Sequence, residues 1–341
     1  MTFPEKLSAA AQEYLRRLRM ENLTQDTLNN YSIVLQMFCD FARETQQPDE
    51  FVAVVAWKTK LFESGLAPSS IKQYLTDVQI FFSAASHRSY PKSIRFSENP
   101  IDKTLMPKLP DRPYEIVLTD EQVKQLFKNE APPHFQYWPR NWAILMLLLN
   151  EKIRCSELIN LRLSDLDFRD HVLVVQSGKG RKYREVDFSE LSELAVAAYL
   201  DSGIRPASLS DDDYLFGNTA ALEQGNVQTH SGAARWHQFS RNGISNMVER
   251  TVKAITGVSD CRAHDLRHVG SRVCLNAGQS IEELQGQLGH SQISTTQIYT
   301  SRMGSKRSRD SARAVLAARD AAAEEMRKQK TAEQKVLPLF A

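Results

Sequence analysis

Val172-Leu173-Val174-Val175-Gln176-Ser177-Gly178-Lys179-Gly180-Arg181-Lys182-Tyr183-Arg184-Glu185-Val186-Asp187-Phe188 reads as two strands and a turn. Branched and aromatic residues fill both arms, and Ser177-Gly178-Lys179-Gly180 supplies the glycines a tight reversal needs. On either side of this hairpin the apolar period is helical. Upstream, Asn141 to Leu149 has the length and composition of a buried helix. Downstream of Ser189 the pattern is mainly helical, broken by a polar loop around 205–235. A hairpin set among helices predicts an α+β fold that is mostly helical with one small sheet.

The first ~95 residues predict a separate four-helix bundle. Leu7, Ala11, Tyr14, Leu15 and Leu18 recur at helical spacing, with Arg16, Arg17 and Arg19 on the other face. Thr24 caps a second stripe of Leu28, Tyr31, Leu35, Phe38 and Ala42. Phe51 to Ser64 is a weaker third helix, and Ser69 or Ser70 opens a fourth, running from Ile71 through Phe82 to Ala85. Asn99-Pro100, Pro107, Pro110 and Pro113 then resist regular structure, which places an extended linker at 97–114. Thr119-Asp120-Glu121-Gln122 is a capping box that restarts the helices. The expected organisation is 1–96, a linker at 97–114, a larger domain at 115–308, and an Ala-rich, charged C-terminal helix and tail at 309–341.

Composition narrows the class. The 341 residues suit about two domains. Lys+Arg against Asp+Glu is 43 − 41 = +2, so any basic surface must come from how charges are arranged. Cys39, Cys155, Cys261 and Cys274 lie scattered with no C-x-x-C pair, which argues against a disulfide framework or a cysteine zinc site and fits a reducing compartment. The longest strongly apolar run, Trp142 to Leu149, is far below the ~20 residues of a membrane span. Met1-Thr2-Phe3-Pro4-Glu5-Lys6 has no apolar signal-peptide core. The expectation is a cytoplasmic protein with no membrane partner and no metal. Asp211-Asp212-Asp213 reads as a solvated loop rather than a metal site.

The chemistry concentrates late in the chain. In His264-Asp265-Leu266-Arg267-His268, His264 and Arg267 share a helix face while Leu266, Val269 and Val273 turn to the core. Gly278 is a C-cap and Ser280-x-x-Glu283 a capping box for a helix ending near Leu288-Gly289-His290, with Tyr299 beyond. Taken singly, such a His-x-x-Arg is a surface pair and such a Tyr a core residue. Jointly, His264-x-x-Arg267, Leu288-Gly289-His290 and Tyr299 resemble the signature of the tyrosine recombinases, the family of phage integrases and Xer-type and Cre-type recombinases. Arg154-Cys155-Ser156-Glu157-Leu158, with Leu161 and Asp165, is similar to that family's first arginine box. Ser177-Gly178-Lys179-Gly180-x-Lys182-x-Arg184 resembles its β-hairpin lysine, and the helices at 27–41 and 69–82 its core-binding domain. The resemblance covers roughly 7–303.

The resemblance implies a fold of core-binding bundle plus helical catalytic domain, and an activity of site-specific DNA strand exchange through a covalent 3′-phosphotyrosyl intermediate, without ATP or other cofactor. Attack at a phosphodiester builds a dianionic transition state, which two guanidiniums can clamp bidentately. Arg154 and Arg267 are the implied clamp. A phenol, with pKa about 10, needs cationic neighbours and a proton acceptor to attack at neutral pH. Tyr299 is the implied nucleophile and His264 the acceptor. Lys179 is the implied general acid for the leaving 5′-oxygen, with Lys182 close enough to substitute, and His290 a phosphate ligand. Glu157, Asp165, Asp265 and His268 are expected to orient these groups rather than react. Lys152-Ile153-Arg154 departs from the family's usual Gly-Leu-Arg, and Val269-Gly270 follows His268 where a bulkier residue is common.

DNA contacts are expected from Arg16, Arg17, Arg19, Lys152, Arg181, Lys182 and Arg184, and would make binding steeply salt-dependent. The implied partner is double-stranded DNA with paired inverted core sites, held by a homo-tetramer, with an accessory or partner recombinase and a prokaryotic, nucleoid-associated setting. Because helices begin at once, an additional N-terminal arm-binding domain is not expected. The tail at 309–341 is expected to dock on a neighbouring protomer. Two alternatives stand beside this reading: a type IB topoisomerase, and a DNA-binding accessory factor without activity.

Overall fold

Thr2, Thr24 and Asp49 open three helices in succession, each accepting a backbone N–H three residues on. These are α1 (Phe3–Leu18), α2 (Gln25–Glu44) and α3 (Glu50–Glu63), and α4 (Pro68–Ala85) follows with proline in its first turn and no side-chain cap. The computed structural model describes residues 1–21, 23–109, 117–176, 183–218, 236–289 and 306–336, with side chains to 331. The chain divides into two units, Met1–Pro113 and Tyr114–Ala341.

The first unit is built on aromatic contacts. The Phe38 ring lies 5.0 Å from Trp57 and 6.1 Å from Phe82, and Phe82 lies 4.9 Å from Phe96. Phe96 stands beyond α4, so the segment after the fourth helix closes this core. Asn99 reinforces the closure, its Nδ2 donating to the Gln79 carbonyl and to Ser83 Oγ, while Gln79 Nε2 donates to the Ile101 carbonyl. Ile101 is buried and Leu105 and Met106 pack on the same cluster. Residues 99–106, expected in an extended linker, therefore pack as part of the bundle.

In the second unit, Thr119 and Gln122 form the anticipated capping box at α5 (Asp120–Phe127). The apolar α6 (Trp138–Leu149) runs buried through the centre, with every residue from Trp142 to Leu149 enclosed. The short α7 (Cys155–Leu158) precedes β1 (Leu166–Asp167), β2 (Val172–Gln176) and β3 (Tyr183–Asp187). β2 and β3 pair antiparallel from Val172↔Asp187 to Gln176↔Tyr183, so Leu173, Val175 and Val186 reach the core. The third strand, β1, pairs with the start of β2. Next comes α8 (Glu190–Asp201), packed on α6, and a small pair of strands, β4 (Gly217–Asn218) and β5 (His237–Gln238). The remaining helices are α9 (Arg241–Thr256), α10 (Ala263–Ala277), α11 (Ile281–Leu288) and α12 (Lys306–Val336). No helix of the described residues is long and apolar enough to cross a membrane.

Docking on a neighbouring protomer was expected for the C-terminal segment. Its described part, α12, packs on α10, α5 and α8 of the same chain. Ala312, Val315 and Ala323 are buried there, and Ser311 Oγ donates to Asp120. Lys330 Nζ lies 3.3 Å from Asp201, and Arg327 pairs with Glu190. Small residues on one face let the helix sit close, and charges at its margins match those of α8.

Trp57, 2% exposed, links α3 to Phe38. Trp57→Ala is expected to cost about 3–5 kcal/mol, read by urea unfolding.

Candidate active site

The chain leaves α6 through a turn, Asn150 to Ile153, that delivers Arg154 to the start of α7. Glu157 reaches back to it. Glu157 Oε2 accepts from the Arg154 backbone N–H at 2.7 Å and Oε1 from Arg154 Nη1 at 2.9 Å. From β3, Arg184 approaches the same carboxylate bidentately, at 2.7 and 2.9 Å. Burial works to raise the Glu157 pKa, but the Arg184 hydrogen bonds, the Arg154 N–H and both positive charges outweigh it and hold it below its ordinary value. Arg184 Nε also donates to the Gln287 carbonyl at 2.9 Å. Its guanidinium thus ties β3 to α7 and to the end of α11.

The end of α11 gathers the arginines. Arg154 Nη2 donates to the Gly289 carbonyl at 3.3 Å, and Arg267 Nη2 to the Leu288 carbonyl at 2.8 Å. These are consecutive C-terminal carbonyls, without partners in the helix and at the negative end of its dipole. Gly289 takes φ 61°, a left-handed cap, and a Cβ there would lie 3.2 Å from the Arg184 side chain. Arg267 Nη1 donates to the Lys152 carbonyl, so a guanidinium only 2% exposed ties the turn after α6 to the end of α11.

His264 stands in the first turn of α10, its Nε2 2.7 Å from Nε2 of His268 and the two rings edge to face. One imidazole must donate and the other accept. Lost hydration and the Arg267 charge, with a smaller push from Arg154, hold the His264 pKa below its ordinary value. A neutral imidazole among cations can take up a proton. Asp265 accepts from the Arg262 N–H at 2.8 Å as the capping carboxylate of α10, and its charge partly opposes the downward shift of His264. Asp165 is buried and braces the end of β2 next to the turn, accepting from the Arg162 N–H at 2.8 Å and from Gln176 Nε2 at 2.9 Å.

Four other expected DNA contacts, Lys152, Arg16, Arg17 and Arg19, lie among the described residues. Lys152 is buried with its ammonium on the Asn150 carbonyl, pointing into the fold rather than out toward a phosphate. Arg17 stacks on Tyr90 at 4.1 Å and bonds Ser89 and Glu13, anchoring α1 to the loop after α4. Arg16 pairs with Glu13, and Arg19 is exposed. Lys179, Arg181, Lys182, His290 and Tyr299 lie outside the described residues. A separate cavity of about 630 Å³, lined by Tyr137, Arg140, Phe239 and Arg250 among others, contains none of the cluster's side chains.

Residues 117–304 match the phage integrase family. The chain belongs to the phage integrase family. Its relatives in this family of tyrosine recombinases include the tyrosine recombinase XerC of Oceanobacillus iheyensis, 29% identical over 299 residues, spanning 84% of this chain and 89% of that protein. The XerC of Bacillus licheniformis is 30% identical over 248 residues, 71% of this chain and 73% of that one. The fold is shared with solved structures of the family. The Tn1549 transposon integrase in complex with a circular intermediate DNA matches with TM-score 0.62 at 19% identity, over 90% of this chain and 98% of that one. The XerH recombinase bound to its difH substrate matches with TM-score 0.61 at 18% identity, over 86% and 81%.

Sequence reasoning missed two parts of this integrase-family site. One is Glu151, buried beside the turn and accepting from Ser189 N–H, Ser189 Oγ and Ser192 Oγ. The other is the use of Arg184 as a brace, which only the tertiary fold reveals. Burial pushes the Glu151 pKa from its ordinary 4.5 to about 7. The folded chain then holds this proton more tightly than the unfolded chain, so stability falls as pH rises from about 5 to about 7, by up to ~1.4 kcal/mol per unit. Glu151→Gln is expected to flatten that slope in urea unfolding at a series of pH values. Arg184→Ala is expected to cost about 3 kcal/mol by leaving Glu157 buried with half its partners, against under about 0.5 for Arg19→Ala.

Proposed function

We propose that this tyrosine recombinase cuts and rejoins double-stranded DNA at specific sites through a covalent 3′-phosphotyrosyl intermediate. The observation that carries the reading is the convergence of Arg154 and Arg267 on the consecutive carbonyls of Leu288 and Gly289, directly before position 290. Two guanidiniums held at one helix end, with a neutral imidazole beside them, suit a phosphoryl group that gains charge as it is attacked.

In this reading Tyr299 Oη attacks phosphorus, and the P–O bond to the 5′-oxygen breaks. His264 takes the phenol proton, and Lys179, or Lys182, protonates the leaving oxygen. Arg154, Arg267 and His290 bind the non-bridging oxygens. The phosphotyrosine conserves the energy of the broken bond, so a 5′-hydroxyl from a partner strand reseals it without ATP. Glu157, Arg184 and His268 keep these groups in place. Residues 1–96 act as the core-binding domain, 115–308 as the catalytic domain, and exposed Arg19 and the hairpin's Arg181 supply phosphate contacts. Strand exchange needs two cleavages on each of two inverted-core duplexes, which four protomers provide as a homo-tetramer, joined by an accessory or partner recombinase. The setting is the nucleoid in a prokaryotic cytoplasm.

Covalent trapping tests the reading. The protein and a Tyr299→Phe control are expressed in cells carrying the native flanking DNA, and protein-linked ends are recovered under denaturing conditions and sequenced. Adducts from the unaltered protein alone, at paired positions a few base pairs apart, are expected. Scattered unpaired adducts would indicate a type IB topoisomerase instead. DNA bound without any adduct would indicate a binding factor.

A further inference from the structure

We propose that Lys152 is a positioning residue for the two arginines, its buried ammonium fastening the turn that carries Arg154 to the helix that carries Arg267. The inference rests on the reading of the site given above. Position 152 adopts φ 56°, a left-handed backbone that glycine takes freely and that works against any residue with a Cβ. The chain nevertheless places there its longest unbranched cation, and buries it to 5% exposure. Such a choice disfavours folding twice over, through the backbone and through desolvation of the charge.

What the lysine provides in return is contact on three sides. Its ammonium donates to the Asn150 carbonyl, closing the turn on itself, and lies 3.6 Å from Cys274 Sγ on α10. Its stem passes Gly270, where a Cβ would stand 3.2 Å from Lys152 Cγ and collide with the Leu149 carbonyl. Its own carbonyl receives Arg267 Nη1. Gly270 and Lys152 are therefore complementary: the missing side chain on α10 makes the room that the lysine stem fills. Glu151, next in the chain and also buried, is itself fastened to Ser189 and Ser192 at the start of α8. The turn is thus held to α8 by Glu151 and to α10 by Lys152, and Arg154 follows two residues later.

The test compares Lys152→Gly, which suits the left-handed backbone but removes the buried stem, with Lys152→Met, which keeps the stem and removes the charge; urea unfolding confirms that each variant is folded. Guanidinium N–H resonances of Arg154 and Arg267 are recorded on ¹⁵N-labelled full-length protein. Single-turnover cleavage and affinity are measured on a synthetic duplex of the sites recovered by covalent trapping. Both variants are expected to displace the Arg267 resonances and to slow cleavage about tenfold or more, with Kd for the duplex changed less than about twofold. Unmoved guanidinium resonances would overturn the proposal, and so would displaced resonances with cleavage at the unaltered rate. If the resonances move while the unaltered protein forms no Tyr299-dependent adduct, the positioning role stands and the recombinase reading falls.

Discussion

An arginine guanidinium lies almost fully enclosed in this protein, and much of the second unit is arranged around that fact. Arg267 can be buried because two chain reversals present backbone carbonyls to it, Lys152 at the turn after α6 and Leu288 at the end of α11. Neither carbonyl belongs to a completed helical ladder. Each is an acceptor that folding would otherwise have to leave to water. The arginine and the two helix ends therefore satisfy one another, and the distance between α6 and α11 is set by the span of one planar side chain. Arg154 repeats the device from the other side by donating to Gly289, the next residue along.

The carboxylates around this arrangement have separate tasks. Glu157 lies between Arg154 and Arg184 and keeps its charge against the pull of burial. It fixes where the Arg154 guanidinium points, and it couples the hairpin to α7 because Arg184 comes from β3. Glu151 lacks a bidentate arginine and receives three neutral donors instead, which leaves its proton much harder to remove. Two buried glutamates six residues apart thus have pKa values pushed in opposite directions for a local reason: one is met by two arginines, the other mainly by hydroxyls and an amide. His264 is the third case, an imidazole whose pKa is held below its ordinary value by lost water and by the charges of Arg267 and Arg154.

Much of this was legible in the sequence, and what was not has a physical reason. The hairpin register follows from alternation that brings Leu173, Val175 and Val186 to one face. The caps at Thr24, Thr119 and Ser280, and the glycine ends at 278 and 289, were legible because capping chemistry is local. The arginine box and the His-x-x-Arg helix were legible because their spacing is a property of one helix or turn. The brace that Arg184 forms was not legible because its partners, Glu157 and Gln287, are remote in the chain. Arg17 read as part of a basic patch for the same reason, its Ser89 and Tyr90 partners lying beyond α4. Proline spacing suggested a linker from 97, but Asn99 and Ile101 hold an irregular backbone against α4 with side-chain hydrogen bonds and burial, which no periodicity announces.

Lys152 and Gly270 carry the general point furthest. Against the family's usual glycine, a lysine after α6 reads as a surface cation, and a glycine in α10 reads as a weak spot in a helix. Each reading treats a residue alone. In the fold the Leu149 carbonyl presses into the space above Gly270, and the Lys152 stem fills the remainder. The backbone strain at 152 and the helix penalty at 270 are then two parts of one close approach between α6 and α10. That approach is what brings the Lys152 carbonyl within reach of Arg267. A site assembled from the ends of helices depends on how closely those helices pack, so the residues that set the packing belong to its chemistry as much as those that face the substrate.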